Sequence, residues 1–191
     1  MAIRLVPLGA LPAARLDHLA EQLGRLLGLP VDTWFETLPV DDVFDPRRDQ
    51  FRSDLLLERL TRDFASETRV LGVTESDLFI PVLTFVFGEA QLGGRAAVVS
   101  TFRLRNELYG LPADKGLLED RLVKEAMHEL GHTFGLLHCH NTTCVMQTST
   151  YAEMVDLKPA TFCAECQARY EAFVAGRLRL TTLNARQPVG R

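Results

Sequence analysis

Hydrophobic residues recur along the first part of the chain at the spacings of strands and helices. The apolar run Ile3–Val6 predicts a short strand that is followed by a turn. From Ala13 to Leu27, leucines recur at helical spacing, which predicts an amphipathic helix facing a core. Gly28 follows directly and Pro30 comes two residues later, so we expect the helix to end there.

Between residues 30 and 100 the pattern predicts one more helix and four more strands. Strands that alternate with helices are typical of a mostly parallel sheet. The connection between the last two strands is short, so we expect them to be antiparallel if they are neighbours. The predicted helix is Ser53–Phe64, the predicted strands lie within Pro30–Leu38 and over Arg69–Val73, Leu83–Phe87 and Ala96–Ser100, and Pro39–Arg48 is predicted to be a loop.

In the second half, a wide apolar stripe predicts a long helix from about Leu117 to His132, and a shorter pattern predicts a last helix from Ala164 to about Leu180. All four cysteines of the chain follow His138. We therefore expect an α/β (α+β) fold with a mixed sheet, in one domain made of two subdomains. The N-terminal subdomain covers residues 1–138, and a small C-terminal subdomain covers residues 139–191.

Composition and charge narrow the class of protein. Hydrophobic residues make up 47% of the 191 residues and charged residues 24%, which is ordinary for a soluble globular protein. The net charge of -4 argues against a nucleic-acid binder, and no apolar run approaches the length of a membrane span. The first 14 residues are better interpreted as a strand and turn than as a signal peptide. We therefore expect a cytoplasmic monomer without nucleic-acid or membrane partners.

The most informative stretch is His128–Cys139, which reads H-E-x-x-H-x-x-G-x-x-H-C. On a helix, His128 and His132 project from one face, where two neutral imidazoles can hold one Zn²⁺. Gly135 can adopt the left-handed conformation that ends a helix, which would turn the chain back and bring in His138 as a third ligand. Three protein ligands leave one position open for water, as is typical of a catalytic zinc site.

The four cysteines form two close pairs. Cys139 and Cys144 are separated by four residues, Cys163 and Cys166 by two, and eighteen residues lie between the pairs. This spacing suits a tetrahedral Cys₄ zinc site. Two disulfides and four free thiols are the alternatives, and a reducing cytoplasm disfavours the disulfides. A structural zinc ion would stabilise a segment that is too small to bury a large core of its own.

The zinc motif resembles that of the metzincin clan of metallopeptidases, which also has a methionine in a tight turn beneath the metal. Met146 lies eight residues after His138, although an ordinary core methionine is the alternative interpretation. A third histidine followed directly by cysteine, then by C-x-M and C-x2-C, is similar to the archaemetzincins in particular. The resemblance covers His128–Cys166 most strongly and extends to Phe85–Ala90 and Ala97–Ser100.

This resemblance implies a metzincin-like fold and a metallopeptidase with two Zn²⁺ ions, and aminopeptidase activity is attributed to some members of the family. It also implies that Phe85–Ala90 is an edge strand above the cleft, which pairs with an extended peptide. Some metzincins place a tyrosine two residues after the methionine as an oxyanion donor, but Thr148 stands there, and Tyr151 is the nearest tyrosine. His140 lies close to the ligands in sequence and is an alternative ligand, but we interpret it as a residue that faces solvent or supports the ligands. The implied ligands are His128, His132 and His138 for the catalytic zinc and Cys139, Cys144, Cys163 and Cys166 for the structural zinc.

Glu129 lies beside the two helical histidines, where its carboxylate can reach a water at the metal without ligating the metal. We therefore expect zinc-dependent peptide hydrolysis, in which Glu129 takes the proton of the water and passes it to the leaving amine. The expected partner is a peptide or protein substrate. A non-catalytic peptide-binding protein and a zinc-stabilised interaction protein are the alternatives, and the intact Glu129 favours the enzyme.

Overall fold

The computed structural model describes residues 1–11, 13–64 and 68–176 of the chain. The described residues form eight strands and five α-helices, and none of these helices is long and apolar enough to cross a membrane. The strands are β1 (Ala2–Leu8), β2 (Val31–Thr33), β3 (Phe44–Asp45), β4 (Gln50–Arg52), β5 (Thr68–Thr74), β6 (Leu78–Phe79), β7 (Gly88–Ala90) and β8 (Ala96–Ser100). The helices are α1 (Ala13–Leu27), α2 (Ser53–Asp63), α3 (Lys115–Thr133), α4 (Ala152–Leu157) and α5 (Ala164–Val174).

The main sheet has the strand order β2-β1-β5-β8-β7, in which the first four strands are parallel and β7 runs antiparallel to β8. This confirms the predicted mixed sheet. The neighbour of β8 at the edge is antiparallel to it, as expected, but it is Gly88–Ala90 and not the predicted segment Leu83–Phe87. Both faces of the sheet are covered, so its central strands are largely apolar. In β8, for example, Ala97 and Val99 face the core formed with α1 and α3, whereas Ala96 and Val98 face the core formed with α2.

The strand predicted over Leu83–Phe87 is wrong, because the strand at this edge of the sheet is Gly88–Ala90. The main-chain carbonyls of Leu83 and Thr84 do not join a ladder but accept hydrogen bonds from the guanidinium of Arg48. Leu83 N–H donates to Ile80 and closes a turn. A run of β-branched and aromatic residues therefore predicted a strand where tertiary contacts with a distant arginine stabilise a turn.

A second, smaller sheet has the strand order β3-β4-β6. The hydrophobic pattern does not predict it, because each of these strands has only two or three residues. Strand β3 of this sheet lies within the predicted loop Pro39–Arg48. Phe44 of β3 and Phe51 of β4 are in aromatic contact, with ring centroids 5.0 Å apart. The small sheet lies beside the start of α2 and leads into the turn that precedes β7.

Helix α3 confirms the predicted long helix. Asp114 caps its start, since the Asp114 carboxylate accepts a hydrogen bond of 2.9 Å from Leu117 N–H. From Arg121 to Gly131 every residue of the helix is buried, so the helix is held on all sides. Such a setting gives side chains on α3 a fixed geometry.

The C-terminal part packs on the same core as the first helix. Tyr170 of α5 donates a hydrogen bond of 2.6 Å to the carbonyl of Leu27, and its ring lies against Phe134. The last helix ends at Val174, and the rest of its predicted range from residue 177 onward lies outside the described residues. The division into subdomains at residue 138 stays a prediction.

Candidate metal centre and cleft

Three histidines from α3 and the turn after it meet at one point. Their ring nitrogens lie within 4.8 Å of one another, although His138 is six residues beyond His132 in sequence. Gly135 makes this possible, because its φ of +81° lies in the left-handed region and turns the chain directly after the helix. The turn is closed by Gly135 N–H, which donates to the carbonyl of His132, and by Leu136 N–H, which donates to Gly131.

The arrangement of the two helical histidines fits a metal ion. His128 Nδ1 lies 2.8 Å from the carbonyl oxygen of Val145, and His132 Nδ1 lies 2.8 Å from that of Leu136. A carbonyl oxygen only accepts, so each Nδ1 carries the proton and each Nε2 presents a lone pair. The two Nε2 atoms face each other at 3.2 Å. Two nitrogens on one tetrahedral zinc, each at about 2.0–2.1 Å from it, lie about 3.3 Å apart.

Electrostatics keeps the three imidazoles in the state that a ligand requires. Burial lowers the pKa of His128 well below its ordinary value, lowers the pKa of His132 to about 4, and lowers the pKa of His138. The positive charge of Lys158 acts in the same direction on all three rings. At neutral pH the rings are therefore uncharged, and a cation between them meets lone pairs and no competing proton.

Glu129 is buried beside the histidines, where β7 approaches α3 very closely. A Cβ atom on Gly88 would lie 2.6 Å from Glu129 Cγ, so only glycine permits this approach. Burial raises the pKa of Glu129 well above its ordinary value, and the neighbouring charge of Glu125 acts in the same direction. The Glu129 carboxylate is therefore a stronger base than an exposed glutamate, and the strand packed against it excludes water from one side.

The segment around Met146 supports the histidines from below. Val145 supplies the carbonyl that orients His128, and the carbonyl of Met146 accepts a hydrogen bond of 2.9 Å from Cys139 N–H. Both residues are fully buried. A Cβ atom on Gly131 would overlap Met146 Sδ, so the methionine packs directly against the helix between its two histidines. Met146 thus lies beneath the histidine cluster, as the resemblance implies.

We expect Gly131→Ala to destabilise the zinc-loaded protein by about 1–3 kcal/mol, because the new methyl group has to displace Met146. Gly24→Ala is the matched control, since its Cβ would have only ordinary contacts, the nearest at 3.6 Å from the carbonyl oxygen of Leu29. In the control, the higher helix propensity of alanine raises the free energy of unfolding by up to about 1 kcal/mol. Urea unfolding measures the change in the free energy of unfolding, which we expect to be negative for Gly131→Ala and positive for Gly24→Ala. Equal effects at the two sites would contradict the close packing of Met146 on α3.

The four cysteines also meet at one point, with their sulfur atoms within 4.8 Å of one another, and none of them is disulfide-bonded. Cys139 Sγ and Cys163 Sγ are 3.9 Å apart, whereas two sulfurs on one tetrahedral zinc are about 3.8 Å apart and a disulfide is about 2.05 Å long. Burial raises the pKa of the Cys144 and Cys166 thiols, and a bound metal is the usual partner that holds buried cysteines as thiolates.

A cavity of about 420 Å³ opens beside the histidines. The segments Leu83–Gly88 and Thr148–Thr150 both line the cavity, together with residues of α3 and His138. Tyr151 lies outside this lining and is 67% exposed, whereas Thr148 lines the cavity together with His128 and His138. His140 is exposed and is not one of the three clustered histidines. The complete lining is Leu83, Thr84, Phe85, Val86, Phe87, Gly88, Glu125, His128, Glu129, His138, Thr148, Ser149 and Thr150.

Sequence reasoning missed three residues of this site. Glu125, which lines the cavity, forms a buried ion pair with Lys158, and Gly88 provides the close approach to Glu129. Gly88 could have been noticed as a glycine inside the implied edge strand Phe85–Ala90. Nothing in the local pattern distinguishes Glu125 or Lys158 from surface charges, because their pairing depends on the tertiary fold.

Similar proteins of known class agree with this geometry. The model of peptidase family M54 matches residues 37–172. An archaemetzincin from Methanocaldococcus jannaschii is 42% identical over 170 residues, which are 87% of this chain and 90% of that protein. The crystal structure of archaemetzincin from Archaeoglobus fulgidus, complexed with malonate, has 37% identity and a TM-score of 0.77, and the match covers 88% of this chain and 99% of that one. A zinc-dependent peptidase from Methanocorpusculum labreanum has 33% identity and a TM-score of 0.80, with 88% and 100% coverage.

The fold, the histidine cluster beside a buried glutamate and these matches together define a zinc metalloprotease. More narrowly, the chain belongs to peptidase family M54, the family of the archaemetzincins. The metzincin-like resemblance and the α/β fold class are confirmed.

Proposed function

We propose that this peptidase hydrolyses peptide bonds with a catalytic zinc ion on the three clustered histidines and with Glu129 as the general base. A second, structural zinc ion would be held by the four cysteines. The observation that carries the proposal is the pair of unprotonated Nε2 atoms that face each other at 3.2 Å. Two lone pairs at that distance repel each other unless a cation lies between them. The proposed ligands are His128, His132 and His138 for one ion and Cys139, Cys144, Cys163 and Cys166 for the other.

In this proposal each residue has a separate role. Zinc, when bound, polarises a peptide carbonyl and lowers the pKa of a water molecule towards about 7. The carboxylate of Glu129 accepts the proton of the attacking water and returns it to the leaving amine. Its raised pKa supports both steps, since a stronger base takes the proton more readily and a proton held at Glu129 can be delivered afterwards. Gly88 leaves room for the carboxylate and keeps it in place.

The substrate is proposed to lie along β7. This strand is the last in the order of the main sheet, and it adjoins Glu129. An extended peptide can add to such an edge through main-chain hydrogen bonds, with its side chains directed alternately towards and away from the cavity. Phe85 and Phe87, which precede and adjoin β7, are in aromatic contact, with ring centroids 5.5 Å apart, and give this side of the cavity an apolar wall.

We further propose aminopeptidase action, which the resemblance to the archaemetzincins supports. Zinc-loaded protein would be incubated with a peptide library in which every peptide is present with a free and with an acetylated N-terminus. We expect loss of N-terminal residues from the free peptides and none from the acetylated ones, read by mass spectrometry. Internal cleavage of acetylated peptides would contradict aminopeptidase action but would retain the metallopeptidase. Failure to cleave any peptide, with zinc bound, would argue against the catalytic proposal itself.

A further inference from the structure

A buried lysine contacts two segments of the chain that line or adjoin the cleft. Lys158, only 2% exposed, directly follows α4, and its Nζ lies 2.9 Å from Glu125 Oε1 of α3. The same Nζ donates a hydrogen bond of 3.0 Å to the carbonyl of Gln147, next to Met146. Lysine is almost never fully buried unless it is paired, and here one ammonium group has partners on two different elements.

The two partners of Lys158 are a residue that lines the cavity and a residue next to a second lining segment. Glu125 lies one helical turn before Glu129 and lines the cavity from α3. Gln147 directly precedes Thr148–Thr150, which line the same cavity. Lys158 itself is not among the lining residues, so a substrate would not touch it. The ammonium of Lys158 therefore connects Glu125 to the segment that contains Thr148–Thr150 without lining the cavity itself.

Attachment of α4 to α3 does not depend on Lys158. Arg121 of α3 forms a bidentate ion pair with Asp156 of α4, with both N–O distances at 2.7 Å. Lys124 also contacts this helix, through the carbonyl of Asp156 at 3.4 Å. A buried ion pair adds little to stability compared with apolar side chains of the same size. What Lys158 alone provides is the connection between Glu125 and Gln147.

We propose that Lys158 is a positioning residue that sets the width of the substrate cleft between Glu125 and Thr148–Thr150. This inference rests on the proposed function, because it assigns the cavity to the substrate peptide. It separates two properties of the site. Affinity for an extended peptide depends strongly on Lys158, whereas the affinity of the histidine cluster for a small metal-binding group changes only through the loss of the Lys158 charge.

The test uses zinc-loaded full-length protein and two ligands, a peptide hydroxamate and acetohydroxamate, titrated by calorimetry. Both carry the same metal-binding group, but only the first extends along the cleft. For Lys158→Met we expect affinity for the peptide hydroxamate to fall about tenfold or more, because the lining segment that it contacts is misplaced. We expect acetohydroxamate to lose much less affinity, because it responds only to the removal of the Lys158 charge near the histidines. With a cleavable peptide, KM should rise about tenfold and kcat should change much less.

Three further variants separate positioning from stability. Lys158→Met leaves Glu125 as an uncompensated buried charge, so the double variant Lys158→Met/Glu125→Gln removes both charges and should fold as wild type does. We expect this double variant to keep the defect in peptide hydroxamate binding. Lys158→Arg retains a cation with several donors and should restore part of the affinity. Lys124→Met is the matched control, since Lys124 is also buried against α4 but does not line or brace the cavity.

Wild-type affinity for the peptide hydroxamate in the folded double variant would overturn the inference. An equal loss of both ligands in Lys158→Met would also overturn it, because the damage would then lie at the metal. If zinc-loaded wild-type protein binds neither ligand, the result rejects the proposed function, and it rejects the inference about Lys158 as well because that inference depends on the proposed function. A selective loss of the peptide ligand, absent in Lys124→Met, is the result that we expect.

Discussion

Replacing Glu129 with glutamine lowers peptide turnover by about 10²–10⁴-fold, the usual contribution of a general base, and leaves both zinc sites filled. Glutamine has nearly the shape of glutamate, so it keeps the packing against Gly88. It lacks the ionisable group that takes the proton of water. Because burial raises the pKa of Glu129, the ionised carboxylate is unfavourable in the folded protein at neutral pH. The neutral glutamine should therefore not lower the melting temperature.

Steady-state kinetics on the peptides found in the library, together with metal analysis of the same samples, checks this prediction. Glu119→Gln is the matched control, because Glu119 is a partly exposed carboxylate on the same helix and lies outside the cleft lining. We expect wild-type turnover from the control. Full activity of Glu129→Gln would refute the assignment of Glu129 as the base, and loss of one zinc ion from this variant would mean that Glu129 acts at the metal instead.

Replacing Cys144 with serine should remove one zinc ion and unfold much of the segment after residue 138. Structural zinc sites in small peptides contribute about 10–16 kcal/mol of apparent binding energy, which is comparable to the about 5–15 kcal/mol stability of a whole domain. Serine leaves the metal with three sulfur ligands and buries a hydroxyl in place of the fourth. The fully buried position of Cys144 gives the segment no room to rearrange.

The effect of Cys144→Ser should extend to the histidine cluster. Cys144 directly precedes Val145, whose carbonyl orients His128 and whose N–H donates to the carbonyl of Thr161. Loss of this geometry should weaken the binding of the second zinc ion, since partners that orient a ligand typically contribute about 10–100-fold to metal affinity. Limited proteolysis and zinc analysis measure the two effects. Thr142→Ala, an exposed change in the same turn, should leave both unchanged. Two retained zinc ions in Cys144→Ser would contradict a Cys₄ site.

The candidate site could be predicted well from sequence because its ligands are close together in the chain. His128 and His132 lie on one helix and His138 follows a single turn, so local geometry is sufficient to bring them together. The cysteine pairs need only one loop between them. In the sheet, β1, β5 and β8 were predictable because a strand that is covered on both faces consists almost wholly of apolar residues.

What the sequence could not reveal depends on contacts between distant segments. The turn at Leu83 and Thr84 is stabilised by Arg48, which lies 35 residues before Leu83. Lys158 and Glu125 are also far apart in the chain, and each of them taken alone is typical of a solvated surface. Periodicity reports which face of an element is buried, but it does not report which charged residue on another element meets it.

The central claim is that the chain holds two zinc ions in two separate sites, one on the histidines and one on the cysteines. The most direct test is the zinc content of purified wild-type protein and of His132→Ala, measured by elemental mass spectrometry against protein concentration. The account predicts two zinc ions per chain in the wild type and one in His132→Ala, with the C-terminal segment still folded. One zinc ion per chain in the wild type after reconstitution with excess zinc, unchanged in His132→Ala, would contradict a metal site on the histidines.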